Sequence, residues 1–155
     1  MRALVQRVAR AEVRLADAAA AAAAAPLGTI GTGLLVLLGV APDDGAAEVA
    51  WVADKLAHLR VFEDAAGKMN LALGDVGGAV LLVSQFTLYG DVRGGRRPGF
   101  AAAARPEVAE PRYLEVAARL RAHGLEVATG AFGRAMHVEL VNDGPVTLWL
   151  DSAER

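Results

Sequence analysis

Three histidines, no cysteine and a scatter of hydroxyl, amide and carboxylate groups make up the reactive stock of this chain. His58, His123 and His137 stand far apart in sequence, none in an H-x-x-x-H pair and none beside an acidic cluster. No metal set is therefore indicated. The lack of cysteine excludes disulfides, thiolate zinc sites and a cysteine nucleophile. Neither a G-x-S-x-G elbow nor a Ser-His-Asp set can be read, and the glycine pairs at 77–78 and 94–95 lack the setting of a phosphate loop. No metal or organic cofactor is implied. What remains is two short stretches, Ser84-Gln85-Phe86-Thr87-Leu88-Tyr89-Gly90-Asp91 and Asn142-Asp143-Gly144-Pro145-Val146-Thr147.

Each stretch sets polar, turn-forming residues directly beside a strand-like apolar run, and strand ends are where rigid scaffolds hold reactive groups. In the first, Ser84, Gln85 and Thr87 offer hydroxyl and amide groups, and the backbone N–H groups are candidate donors to an oxyanion. An ester carbonyl needs such donors because negative charge builds on its oxygen during attack. In the second, Gly144 lets a ligand approach the backbone closely, while Pro145 fixes its own φ and lacks an N–H. Plainer readings stand beside both. The first can be a polar strand end with Thr87 supporting the sheet, and the second a Gly-Pro turn before an edge strand.

The elements that must carry these stretches follow from periodicity. Residues 9–15 alternate small or apolar with charged residues, as a half-buried strand does. Residues 34–40 form a continuous apolar run flanked by Gly31, Gly33 and Pro42, a strand covered on both faces. Between Asp44 and Arg60 the period becomes helical, with Val49, Val52, Ala53, Leu56 and Leu59 on one face and Asp44 as N-cap. Residues 79–83 predict a buried strand that feeds Ser84. A second helix is predicted from near Pro111, burying Tyr113, Val116, Ala117 and Leu120 and ending at Gly124. Three strands near 125–129, 135–141 and 145–151 follow. Many strands and two helices, without a regular βαβ rhythm, argue for a single α+β domain.

Composition narrows partners less than fold. The formal charge of −2 does not announce nucleic acid, so any contact with it must use a local basic patch. No targeting segment is apparent, and the alanine-rich run at 18–25 is too short and too weakly apolar to span a bilayer. A soluble cytoplasmic protein without membrane partners is the expectation. The alanine tract, within 16–28, reads as a surface loop insertion with at most a turn or two of helix and no chemistry.

Taken in this order, the two motifs resemble the signature of the D-aminoacyl-tRNA deacylases. The resemblance runs from Met1-Arg2-Ala3-Leu4 to Leu148-Trp149-Leu150-Asp151. It implies an α+β domain of mixed and mostly antiparallel sheets, closing barrel-like with two main helices, and a homodimer with an active site shared across subunits. The implied substrate is tRNA, not DNA. The implied reaction is hydrolysis of the ester joining a D-amino acid to the 3′ end. Residues 16–28 then become an expanded hairpin loop.

Residue by residue, the resemblance makes Ser84, Gln85, Phe86 and Thr87 catalytic and puts Met136 in the substrate pocket. Gly144 and Pro145, joined by a cis bond, become a chiral filter whose carbonyls enter the partner's pocket. Such carbonyls accept bonds from the substrate amino group and leave no room where an L side chain would point. Glycine passes, so glycyl-tRNA mischarged on tRNA-Ala becomes a further substrate. A thousandfold discrimination needs only about 4 kcal/mol. Arg93, Arg96 and Arg97 form a basic loop that would meet tRNA phosphates, and Arg7 is given support alone.

Thr87 attacks poorly unless a base activates it, and no base can be read for it. The ribose 2′-hydroxyl of the terminal adenosine can assist attack or activate water, and this route is preferred. Two rivals remain: a non-catalytic tRNA-binding module of the same fold, and a small-molecule esterase with Thr87 as nucleophile.

Overall fold

The long first strand, β1 (Arg2–Leu15), organises everything that follows. In the computed structural model, which describes residues 1–16 and 25–155, β1 pairs along one edge with β2 (Gly28–Ile30) and β3 (Gly33–Gly39). Both pairings are antiparallel and share one register, broken only by the Gly31-Thr32 step. Along its other edge lies β8 (Met136–Asp151), so β1 is longer than its alternating segment predicted. The alanine-tract expectation falls mostly on residues 17–24, outside the described residues.

From β3 the chain crosses through α1 (Ala46–His58) and a small hairpin, β4 (Phe62–Glu63) with β5 (Met69–Leu71), to β6 (Ala79–Ser84). It then crosses through α2 (Pro106–Ala122) to β7 (Glu126–Thr129). β6 lies parallel to both β3 and β7, giving a mixed sheet in the order β2-β1-β3-β6-β7 with β8 on β1. The sheet curls until β2 meets β7, where a Cβ added at Gly28 would sit 3.1 Å from the Ala128 Cβ. The architecture is the barrel-like α+β domain expected.

The apolar runs make sense once both faces are seen. Leu34, Val36 and Leu38 of β3, with Val80 and Leu82 of β6, pack under the two helices against Val49, Leu56, Val116 and Leu120. The intervening Leu35, Leu81 and Val83 fill the inside of the curl with Val8, Val13 and Ile30. A strand buried on both faces has no polar alternation to show.

Three expectations are corrected. Gly45, not Asp44, is the α1 N-cap, and its N–H is satisfied by the Glu48 side chain at 2.8 Å. Asp44 is instead buried, bound to the Met1 amine at 2.6 Å and to the Ala41 N–H at 2.6 Å. α2 begins at Pro106 rather than near Pro111, because Pro106 takes the first helical position. Pro111 is tolerated inside, on the exposed side, where its missing N–H frees only the exposed Glu107 carbonyl. The strands at 135–141 and 145–151 are one strand, β8, interrupted by a bulge.

Candidate active site

Ser84 ends β6, and there the chain leaves the sheet. The Gln85 N–H still donates to the Leu38 carbonyl at 2.8 Å, after which Phe86–Tyr89 form a single 3-10 turn. Gly39 makes this close approach possible, since a Cβ there would lie 3.0 Å from the Gln85 carbonyl oxygen and 3.1 Å from the Tyr89 ring. Tyr89 anchors the turn from beneath. The Arg2 guanidinium lies 4.5 Å over its ring, donating to the Leu88 carbonyl at 3.0 Å and to Asp151 at 2.9 Å. Burial, with the Asp44 and Asp151 carboxylates adding to it, pushes the Tyr89 phenol far up, so it stays neutral.

A cavity of about 670 Å³ opens beside this turn. Ser84, Gln85 and Phe86 line it, with Leu38 and Val83 from the strands, Val40 just after β3, Phe100 and Ala104 ahead of α2, Phe132 between β7 and β8, and Met136 at the start of β8. Its size and apolar lining suit a small-molecule moiety. Phe86 is 55% exposed and stands edge-to-face on Phe100, with centroids 5.0 Å apart. The Met136 sulfur accepts from the Ala131 N–H at 3.3 Å. Tyr113 steadies the strand behind, donating to the Leu82 carbonyl at 2.8 Å, and burial pushes its phenol up to about 12.

Thr87 is exposed and does not line the cavity, and its hydroxyl receives the Gln85 side-chain amide. Phe86 and Thr87 open the 3-10 turn, so their N–H groups have no acceptor within it. Such N–H groups can stabilise a developing oxyanion. Among the described residues lining the cavity there is no histidine and no carboxylate to act as a side-chain base.

The second motif forms the bulge in β8. Gln6 pairs with Thr147 and Val8 with Asn142, so Arg7 alone faces residues 143–146. Arg7 is buried and grips this bulge, donating from Nε to the Asp143 carbonyl at 3.2 Å and approaching the Asp143 carboxylate at 3.1 Å. A second donation, to the Val61 carbonyl at 2.6 Å, ties it to the β4 hairpin. Asn142 closes the neck, donating to the Arg7 carbonyl at 2.9 Å and the Val146 carbonyl at 3.1 Å. The Gly144–Pro145 bond is cis, and Gly144 has φ of +122°. A Cβ there would lie 2.9 Å from the Val146 nitrogen and 3.0 Å from the Arg7 guanidinium, so only glycine fits.

Ser84, Gln85, Phe86 and Met136 are thus brought together around one cavity, whereas Gly144 and Pro145 are exposed and outside it. Arg93 is tied to Asp91 at 2.8 Å. Arg96 and Arg97 are exposed in a loop closed by reciprocal bonds between Asp91 and Gly99 at 2.7 and 2.8 Å. Reading the sequence missed Phe100, Arg105, Phe132 and Arg134, all of which line the cavity. The available signal was Phe132-Gly133-Arg134, an aromatic and a cation around a glycine in a short connection.

Known proteins resemble this chain over nearly its whole length. A family model described as D-Tyr-tRNA(Tyr) deacylase matches residues 4–151. The chain belongs to that family. A D-aminoacyl-tRNA deacylase of Anaeromyxobacter dehalogenans is 62% identical over 98% of this chain and 97% of that one. Among solved structures, one described as c-Myc DNA Unwinding Element Binding Protein is similar with a TM-score of 0.86 and 38% identity, over 98% of this chain and 99% of that one. Another, described as "a probable eukaryotic D-amino acid tRNA deacylase", has a TM-score of 0.79 over 96% of this chain and 97% of that one. At 18% identity it speaks for the fold alone. Both motifs of this deacylase-family chain lie within the matched span.

Proposed function

We propose that this chain is a hydrolase that cleaves the ester of D-aminoacyl-tRNA, releasing free D-amino acid and tRNA. The observation that carries this reading is the cavity built on Ser84, Gln85 and Phe86, inside the family's matched span. At its edge the Phe86 and Thr87 N–H groups donate to the ester oxygen as charge develops, and the aromatic and aliphatic wall holds the terminal nucleoside and amino acid.

Among the described residues no histidine or carboxylate lines the cavity, which favours activation of water by the substrate's own ribose 2′-hydroxyl over attack by Thr87. Chirality is read by Gly144 and Pro145 of a second copy. Their bulge is exposed, braced by Arg7 and absent from its own chain's cavity, features that suit a group inserted into a partner. A homodimer with shared sites follows, and glycyl-tRNA, having no side chain to exclude, is a further substrate. Arg96 and Arg97 meet phosphates of the acceptor stem, while Arg93, held by Asp91, shapes their loop.

One similar structure is named for binding a DNA element, and this favours a second reading, a nucleic-acid-binding module without turnover. Hydrolysis of one tRNA charged separately with D-tyrosine and L-tyrosine, by catalytic amounts of protein, decides between them. Rapid loss of the D-ester with the L-ester spared is expected. No turnover of either, by folded dimeric protein, removes the enzyme reading. Thr87→Ala should retain turnover, whereas a terminal 2′-deoxyribose should abolish it; the reverse pattern would restore Thr87 as nucleophile.

A further inference from the structure

Among the described residues the cavity beside Ser84 has two charged residues in its lining, Arg105 and Arg134, and both are cations. Arg105 immediately precedes α2, and Arg134 lies in the connection from β7 to β8, so two separate segments of the chain bring them to the same cavity. Both are exposed. Among the described residues neither guanidinium has an ion-pair partner, although eight other arginines are paired with carboxylates. Two guanidiniums without an ion-pair partner, beside an apolar hollow that holds no carboxylate among the described residues, form a local positive mouth on a protein of net charge −2.

A guanidinium fork suits the oxygens of a phosphate, and phosphate contacts position a nucleic acid without reading its sequence. An aminoacylated nucleoside that filled the apolar hollow would have to lead its 5′-phosphate out past this mouth. We propose that Arg105 and Arg134 form a phosphate clamp for the phosphodiester immediately 5′ of the terminal nucleoside. They are positioning residues, which orient the ester by fixing the far end of the same nucleotide. The proposal rests on the deacylase reading above and adds a subsite to it. It differs from the role given to Arg96 and Arg97, which lie outside the cavity lining and would meet phosphates farther along the strand.

The test compares two small esters, adenosine and adenosine 5′-monophosphate, each carrying D-tyrosine on its ribose, alongside D-tyrosyl-tRNA. Wild-type protein should favour the phosphate-bearing ester by about tenfold or more in kcat/KM, chiefly through KM. Arg105→Ala with Arg134→Ala should erase most of that preference, and the paired lysine substitutions should restore part of it. Arg96→Ala with Arg97→Ala should leave the preference intact while weakening use of the whole tRNA. The double alanine variant should also flatten the fall of tRNA affinity with salt.

A wild-type preference below twofold overturns the clamp, and so does a preference that survives in the double variant. Equal losses on both esters overturn it too, because the arginines would then be supporting the wall. Turnover of the tRNA with neither small ester accepted also counts against it. If wild-type protein hydrolyses none of the three substrates, the deacylase reading itself has failed, which is a separate result.

Discussion

Two hollows formed by the described residues handle charge in opposite ways. Among the described residues the one beside Ser84 contains no carboxylate, and its two arginines have no ion-pair partner. The other, of about 510 Å³, is crowded with Asp43, Asp44, Glu48 and Asp151 together with Arg2, Arg155 and the Met1 amine. There nearly every charge is matched: the amine with Asp44 at 2.6 Å, Arg2 with Asp151 at 2.9 Å, and Arg155 with Glu48 at 2.7 Å. Ser152 adds a further acceptor for the amine at 2.5 Å. A hollow rich in ionisable groups looks like a site until its partners are counted. Groups already bonded to one another hold chain ends together, whereas the sparsely polar hollow leaves its donors free for a ligand.

That contrast is broken most severely by Gly144→Ala, which strikes the group proposed to complete the first hollow. Its positive φ and the close Val146 and Arg7 atoms force the bulge to move. Turnover of D-tyrosyl-tRNA should fall by about a hundredfold or more, the scale of effect expected from a small misplacement at a reacting centre. The folded protein should survive, at a cost of about 1–3 kcal/mol. Steady-state kinetics with a melting curve checks both, and near-normal turnover would remove the bulge from the site.

Asp44→Asn tests the second hollow. Breaking a buried pair leaves an uncompensated charge, and about 3 kcal/mol of stability should be lost. Deacylation measured well below the melting temperature should stay within about twofold, a ratio worth only ~0.4 kcal/mol. A large loss of activity without a loss of stability would mean that the second hollow also serves function. Phe86→Ala should give the opposite split. Its ring is largely exposed, so stability should change by less than about 0.5 kcal/mol. Activity should nonetheless fall by about tenfold, because the ring and its edge-to-face contact with Phe100 wall the first hollow.

The same contrast explains what could be read before folding. The two-sided burial of β3 and β6 was legible because an uninterrupted apolar run of that length has few other homes. Both helical faces were legible from spacing: Val49, Val52, Ala53 and Leu56 are buried, as are Tyr113, Val116, Ala117 and Leu120, but Leu59, expected on the first face, is the half-buried C-cap beyond the helix. Asp44 misled because an acidic residue before a helix reads as a cap, and nothing local reveals that β1 delivers the Met1 amine to it. Arg105 and Arg134 were hidden for a related reason. A surface arginine is anonymous in sequence, and only the meeting of two loops around one opening sets these apart. The bulge in β8 was visible as Gly-Pro, but the brace beneath it, Arg7, belongs to the other end of the chain.

The smallest expected effect, in acid, sharpens the comparison from the side of the paired hollow. Burial alone would raise the Asp151 carboxyl, but the Ala153 N–H and the Arg2 guanidinium outweigh it and hold it below the usual aspartate range. A carboxyl with a lower pKa in the folded than in the unfolded chain adds stability above the unfolded value, and that stability is lost as pH falls through the folded one. With an unfolded value of about 3.9, the contribution should be constant from neutral pH to about pH 5 and should disappear below about pH 4. Glu48, Asp64 and Asp91 are also held low and shape the same acid limb, so the informative quantity is the difference between wild type and Asp151→Asn. Denaturation midpoints at neutral pH, near pH 5 and near pH 3 should converge as acid is added. Parallel curves would mean that the Asp151 charge adds nothing to stability, and that the turn at Tyr89 is held without it, by packing and by the Arg2 bond to the Leu88 carbonyl.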